Sequence, residues 1–434
     1  MDRLPRVLIP SINVWQDTGS VRTLPEIFSC WDKDKVAQIY TKAGLPDTCV
    51  CDRFFRINEN AVIKSIFKRK IQTSSVVYNT HDTYSEAEQQ EIDSQKKRYS
   101  SASKKQSWLM SLCRELVWLV GKWKTPELDR FVDEFDPEIL FVPVYPVVYM
   151  SRLQLHIIKR TKKPVVCYLS DDNYSYKACG KNPLAYIHRF WLRRGVRKIM
   201  RHCDQLFVIA PKQKEEYDRI FGTNSELLTR SIDYSKTNCD EHEVHTPLQM
   251  IYTGKLGIGR DITIARVAQA VEAINSQGER IRFSVYSGDT PGNELMNQLS
   301  RGGNQFCGSV TSDKIEKLQR ESDITLFAES LDKKYRNAAR LSFSTKLTDY
   351  FSSGRCVFAV GSEDIAPMDY LIREDAAITV TDYAQIEGKL RQLCDNPEIV
   401  KEYGKKAFEC GKRNHNKEQV LSNFKEVMLQ LVKD

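Results

Sequence analysis

Two basic turns carry the most specific chemistry in this 434-residue chain. One is Tyr252-Thr-Gly-Lys-Leu-Gly-Ile-Gly-Arg-Asp261, where glycines clear space for a close backbone approach and Lys255 and Arg260 supply charge. The other is Phe343-Ser-Thr-Lys-Leu-Thr-Asp-Tyr-Phe-Ser-Ser-Gly354, a loop with two hydroxyls and a lysine leading into a short helix. Leu347, Tyr350 and Phe351 fall at i, i+3 and i+4 on one helical face, Ser344 or Thr345 is placed to cap the start, and Gly354 to end it. A helix N-terminus with Lys346 in its first turn is an anion site. A diphosphate carries enough negative charge to recruit both turns, with arginine offering a two-pronged grip. A third turn, Gly308-Ser-Val-Thr-Ser312, has backbone groups that could read the edge of a base through Val310 and Thr311.

The elements that must hold these turns are apolar runs alternating with helical patterns, the signature of parallel α/β sheets. The first half predicts strands at 6–10, 35–40, 75–78, 139–142, 165–169 and 205–209. The second half predicts them at 249–252, 282–286, 305–307, 324–327, 355–360 and 377–380. Helices are expected at 262–276, 312–321 and 417–432, the last packing back across the first half. Residues 82–107 are polar and read as a solvated helix or loop. Residues 108–124 form an amphipathic helix with three tryptophans, read as packing on its own sheet in preference to resting on lipid. The polar stretch 235–247 reads as a linker. This divides the chain into residues 1–240 on the acceptor side, 241–416 binding the nucleotide sugar, and 417–434 returning to the first domain.

A net charge of +8, with 41% hydrophobic and 28% charged residues, fits a folded protein with an anionic partner. The basic clusters 64–70, 96–98, 104–105 and 193–198 all lie in the first half and suit an anionic membrane surface or a phosphorylated ligand; no nucleic-acid-binding signature accompanies them. No apolar run approaches the roughly 20 residues that span a bilayer, and the start lacks a signal-peptide core. The expected location is the cytoplasm, with a peripheral contact on the inner face of the plasma membrane. Twelve cysteines without paired Cys-x-x-Cys spacing read as reduced thiols, not as a zinc site.

The order of motifs resembles the GT-B glycosyltransferases, most closely the retaining group that builds bacterial surface polysaccharides. Gly254-Lys255-Leu256…Arg260 matches that group's Gly-Arg-Leu…Lys turn with the basic types exchanged. Gly308-Ser-Val310, Ser322-Asp-Ile324 and Leu347–Val357 match its later elements. The resemblance implies two Rossmann-like domains facing a central cleft and transfer of a hexose from a nucleotide sugar to a hydroxyl of a glycan, with retention; the basic clusters and the tryptophan helix of the first half suggest that this glycan is lipid-linked. Lys255, Arg260 and Lys346 would neutralise the leaving diphosphate, so no metal or other cofactor is expected. The resemblance places Asp349 at the donor ribose, and Gly19, Ser20 and Arg22 in a glycine loop facing the donor. Where the group carries a histidine near the reacting carbon, this chain has Asp171 and Asp172. One of the two could orient the acceptor hydroxyl or act as base, while the other caps a turn. A further glutamate of the group falls at Leu341. That loss, with the missing histidine, leaves a second reading open: a glycosyltransferase-like subunit that binds a nucleotide sugar or a partner enzyme.

Overall fold

The computed structural model describes residues 3–17, 23–78, 90, 92–93, 104–179, 182–239 and 243–433. Gly19, Ser20 and Arg22, and most of 82–107, lie outside these residues. The chain forms two compact units: residues 1–208, 217–228 and 421–434, and residues 209–216 and 229–420.

The first unit is built on an eight-stranded sheet. Its strands are β1 (Val7–Pro10), β2 (Val36–Tyr40), β3 (Arg53–Ile57), β4 (Ser74–Tyr78), β5 (Ile139–Pro143), β6 (Val165–Leu169), β7 (Gln205–Val208) and β8 (Glu226–Leu227). They lie in the order β4-β3-β2-β1-β5-β6-β7-β8. Pairing is parallel throughout except between β3 and β4, which run antiparallel at the edge. Strands β1, β2, β5 and β6 are buried along their whole length, as continuous apolar runs covered by helices on both faces should be. Two strands were not expected. In β3 the arginines at 53 and 56 bracket Phe54-Phe55 and interrupt the apolar run, and β8 has two residues.

Helix Lys417–Lys433 contributes the last residues of this unit. Its Phe424 ring meets Phe28, Trp31, Phe141 and Phe207 with centroids 5.4–5.9 Å apart, closing an aromatic cluster over the sheet. A cavity of this kind in a fully packed cluster costs about 3–5 kcal/mol. Phe424→Ala is therefore expected to lower the urea midpoint of the first unit's transition by that equivalent, with its slope unchanged.

The second unit carries a wholly parallel six-stranded sheet: β9 (Leu248–Thr253), β10 (Ile281–Tyr286), β11 (Asn304–Gly308), β12 (Ile324–Ala328), β13 (Cys356–Val360) and β14 (Ile378–Val380). The order is β11-β10-β9-β12-β13-β14. The chain starts at β9, winds outward to β11, then returns to β12 on the other side of β9. That reversal leaves a crevice above the carboxyl ends of β9 and β12, where open sheets of this kind bind ligands.

Candidate functional site

The turn after β9 and the residue after β12 meet at this crevice. Residues 254–259 lead from β9 into helix Arg260–Asn275 through an unusual backbone. Gly254 has φ 150°, and Ile258 and Gly259 follow with φ 63° and 76°. A left-handed isoleucine, half exposed, is strained and persists only where its surroundings hold it. Those surroundings are specific: Tyr252 Oη donates to the Lys255 carbonyl at 2.6 Å, and the Leu256 N–H donates to Asp289 Oδ2 at 2.8 Å. A Cβ on Gly259 would strike the Tyr335 ring and Ser330, so only glycine lets the helix start this close to the end of β12.

Lys346 enters the same space. A Cβ on Gly254 would overlap the Lys346 ammonium, so the bare glycine is what lets that charge sit against the turn. The ammonium lies 5.0 Å from the centre of the Tyr252 ring, a cation–π contact. Burial, reinforced by the neighbouring Arg260 and Lys255 charges, lowers its pKa to about 8. An ammonium held in such a place prefers an anion beside it.

Arg260 is the first residue of its helix and is aimed by a carboxylate. Its Nε and one terminal nitrogen both donate to Glu329 Oε1, at 3.1 and 2.7 Å. Glu329 directly follows β12 and is buried; its N–H extends the β12–β13 pairing to Val360, and its carbonyl accepts from Thr263 at 2.9 Å. Sequence reasoning missed Glu329. The available signal was an acid placed immediately after an apolar strand at the sheet's reversal point. Three cations and the amino end of a 16-residue helix thus converge on one crevice, while the nearby acids Glu329 and Asp289 are each engaged. Such an arrangement binds a diphosphate and stabilises charge developing on it.

Helix Lys346–Ser353 ends at Gly354 with φ 66°, the left-handed stop that its sequence requires. Its start differs from expectation. Thr345 is the N-cap, but its backbone is helical and its hydroxyl makes no capping bond. The Thr345 carbonyl instead accepts from Thr348 Oγ1 at 2.6 Å and from Arg230 at 3.3 Å, while the Ser344 carbonyl accepts from the Leu347 N–H. Asp349 pairs with Arg230 at 2.8 Å and keeps 38% of its side chain exposed. Leu341 is fully buried and its neighbour Arg340 is ion-paired with Glu216, so neither supplies an acid there. Gly308, with φ 72°, ends β11, and its carbonyl accepts from the Ser287 N–H at 2.9 Å; Val310 is half-buried, and Thr311 caps helix Ser312–Glu321 with its backbone only.

The two aspartates after β6, in the first unit, separate cleanly. Asp172 is buried, and its Oδ1 accepts from the Ser175 N–H at 2.8 Å and the Tyr217 hydroxyl at 3.2 Å. It is the turn-capping member of the pair. Asp171 is the exposed member.

No protein-family model matches the chain, and no curated protein matches it in sequence. Solved structures do match it in fold. The chain is similar to HepE of Anabaena in complex with UDP, with a TM-score of 0.62 and 9% identity over 98% of this chain and 100% of that one. HepE in complex with UDP-glucose matches with a TM-score of 0.57 and 10% identity over 98% of this chain and 99% of that one. Sucrose-phosphate synthase from Thermosynechococcus elongatus matches with a TM-score of 0.59 and 12% identity, over 98% and 99% of the two chains. The chain has the GT-B fold that these structures share.

Proposed function

We infer that this protein is a glycosyltransferase that moves a sugar from a nucleoside-diphosphate sugar to a hydroxyl group. The observation that carries this reading is the convergence of Lys255, Arg260, Lys346 and a helix N-terminus at the reversal point of the second unit's sheet. In transfer, the acceptor oxygen bonds to the anomeric carbon as the bond to the diphosphate breaks; the electron pair departs on the diphosphate, which takes up the acceptor's hydroxyl proton. The three cations and the helix amides stabilise that charge more in the transition state than in the ground state, which accelerates the step. They also take the part that a divalent metal has in other transferases. Asp349 and the 308–311 turn would hold the ribose and base, and Asp171 would orient the acceptor hydroxyl. HepE has been captured with UDP and with UDP-glucose, so uridine-diphosphate hexoses are the first donors to test. The acceptor we favour, from the basic clusters of the first half, is a lipid-linked glycan at the cytoplasmic face of a membrane, and the motif resemblance implies retention at the anomeric carbon.

The test is release of free nucleotide from a panel of nucleotide sugars, with glycan acceptors and with EDTA present. Turnover of one donor that survives EDTA and needs an acceptor is the expected result. Donor binding without turnover under any acceptor would instead support the binding-subunit reading, which the aliphatic residue at 341 and the structural role of Asp172 favour.

A further inference from the structure

We propose that one face of the first unit, centred on the outward side of helix Pro183–Met200, is a seat for an anionic lipid surface. It places the membrane part of the functional reading on named residues and does not depend on the transfer chemistry. The helix is divided by function along its length. Arg189, Arg193 and Arg197, four residues apart, turn inward onto the 172–176 turn: Arg189 donates to the Asp172 carbonyl, Arg193 donates to the Tyr174 carbonyl and lies over the Tyr174 and Tyr176 rings, and Arg197 bonds the Tyr174 hydroxyl. These contacts fix the helix rotation. What then faces outward is Ile187, Phe190 and Trp191, with Tyr186 stacked on Tyr176 at the edge, followed by Arg194, Lys198 and Arg201. Phe190 and Trp191 leave about half their surface uncovered, at 52% and 51%.

The neighbouring elements continue the pattern. Helix Lys104–Val120 packs against both the 183–200 helix and helix Glu59–Ser65. It is locked inward by Arg114 and Trp118, which both donate to the buried Glu59 carboxylate, at 2.6 and 3.1 Å. Its tryptophan at 118 therefore belongs to the core, and Leu116, Leu119 and Val120 stand exposed instead. Beyond helix Glu59–Ser65, Phe67 is 86% exposed beside Lys68, Arg69 and Lys70. Segments 64–72, 104–124 and 183–201 together contain a single acid, Glu115, which accepts from the Val148 N–H at 2.8 Å.

Large apolar side chains set among lysines and arginines, with no outward acid, match a headgroup layer over acyl chains. Aromatic rings sit at the boundary and long basic side chains reach the phosphates. A second copy of the same face would set like charges against each other, and protein interfaces are depleted in lysine, so the charge pattern favours lipid over either.

The test uses the full chain and two kinds of vesicle, phosphatidylcholine alone and phosphatidylcholine with phosphatidylglycerol, read by co-sedimentation. Binding is expected only to the anionic vesicles. Each basic side chain removed should weaken it about fivefold, so Arg194→Glu/Lys198→Glu should bind at least about 25-fold more weakly. Phe190→Ser/Trp191→Ser should also lose binding, while both variants keep wild-type melting and nucleotide affinity. Equal binding to both vesicle types, or wild-type binding by the charge-reversed variant, overturns the proposal. So does a lipid-free dimer that the Trp191 variant dissociates. Loss of vesicle binding with nucleotide affinity intact separates this surface from the transferase site.

Discussion

Lys346→Ala is expected to weaken binding of a nucleoside diphosphate by about 10- to 150-fold, the worth of one or two charge-assisted hydrogen bonds in a desolvated site. Turnover with the correct donor should fall further, by about 10²–10³, because the same ammonium faces charge that grows as the diphosphate leaves. The pH dependence is equally specific. Burial, with Arg260 and Lys255 nearby, lowers the Lys346 pKa to about 8, and an anion is bound best by the protonated form. Affinity in the wild-type protein should therefore decline above about pH 8, by up to tenfold per pH unit. Stability runs in the opposite sense. Between about 8 and the ordinary lysine value of 10.5 the unfolded chain holds a proton at this residue that the folded protein has released. The Lys346 contribution to stability therefore rises with pH through that window, and the cost of burying its charge is fully present below it. Calorimetric titration with UDP and urea unfolding, both from pH 7 to 10, check the two trends. Identical pH profiles for wild type and Lys346→Ala would remove Lys346 from the site.

Glu329→Ala is expected to lower the melting temperature of the second unit by about 6–12 °C. Breaking a largely buried ion pair leaves Arg260 uncompensated, at a cost of about 3 kcal/mol, and a unit of this size loses roughly 2–4 °C per kcal/mol. A bound diphosphate restores a partner to the guanidinium. The thermal shift on adding UDP should therefore be larger in Glu329→Ala than in wild type, even though its unliganded stability is lower. Glu329→Gln keeps an acceptor at Oε1, so it should retain the aim of Arg260 and most of the stability while binding the anion more tightly. Differential scanning fluorimetry with and without UDP separates these outcomes. A Glu329→Ala protein that melts like wild type, with an unchanged ligand shift, would show that Arg260 is held by something else.

Most of the architecture was legible because parallel strands buried on both faces are written as uninterrupted apolar runs. Val165-Val-Cys-Tyr-Leu169 and Cys356-Val-Phe-Ala-Val360 can hardly be read otherwise. Strand β3 was not, because its two phenylalanines are flanked by arginines, and their place in a strand paired with β2 and β4 is a tertiary fact. Local backbone chemistry was also legible: Gly354 stops its helix as a residue needing a left-handed conformation must. The cap at the other end was not, since the carbonyl of Thr345 is drawn to Arg230, far away in sequence.

In the site, residue type and spacing alone singled out Lys255, Arg260 and Lys346, because clustered positive charge in glycine turns after apolar runs is visible in the chain itself. Three things were decided only by packing. Gly254 and Lys346 interlock so closely that a methyl group would displace the ammonium. Asp172 is used up in its own turn while Asp171 faces out, although nothing in the dipeptide distinguishes them. Glu329, which looks like any surface acid in Ala-Glu-Ser, is buried against Arg260 because β12 ends beside β9. The physical reason is common to all three. Charge and periodicity are properties of a residue and its near neighbours, whereas burial and partnership depend on which strand ends a fold sets side by side.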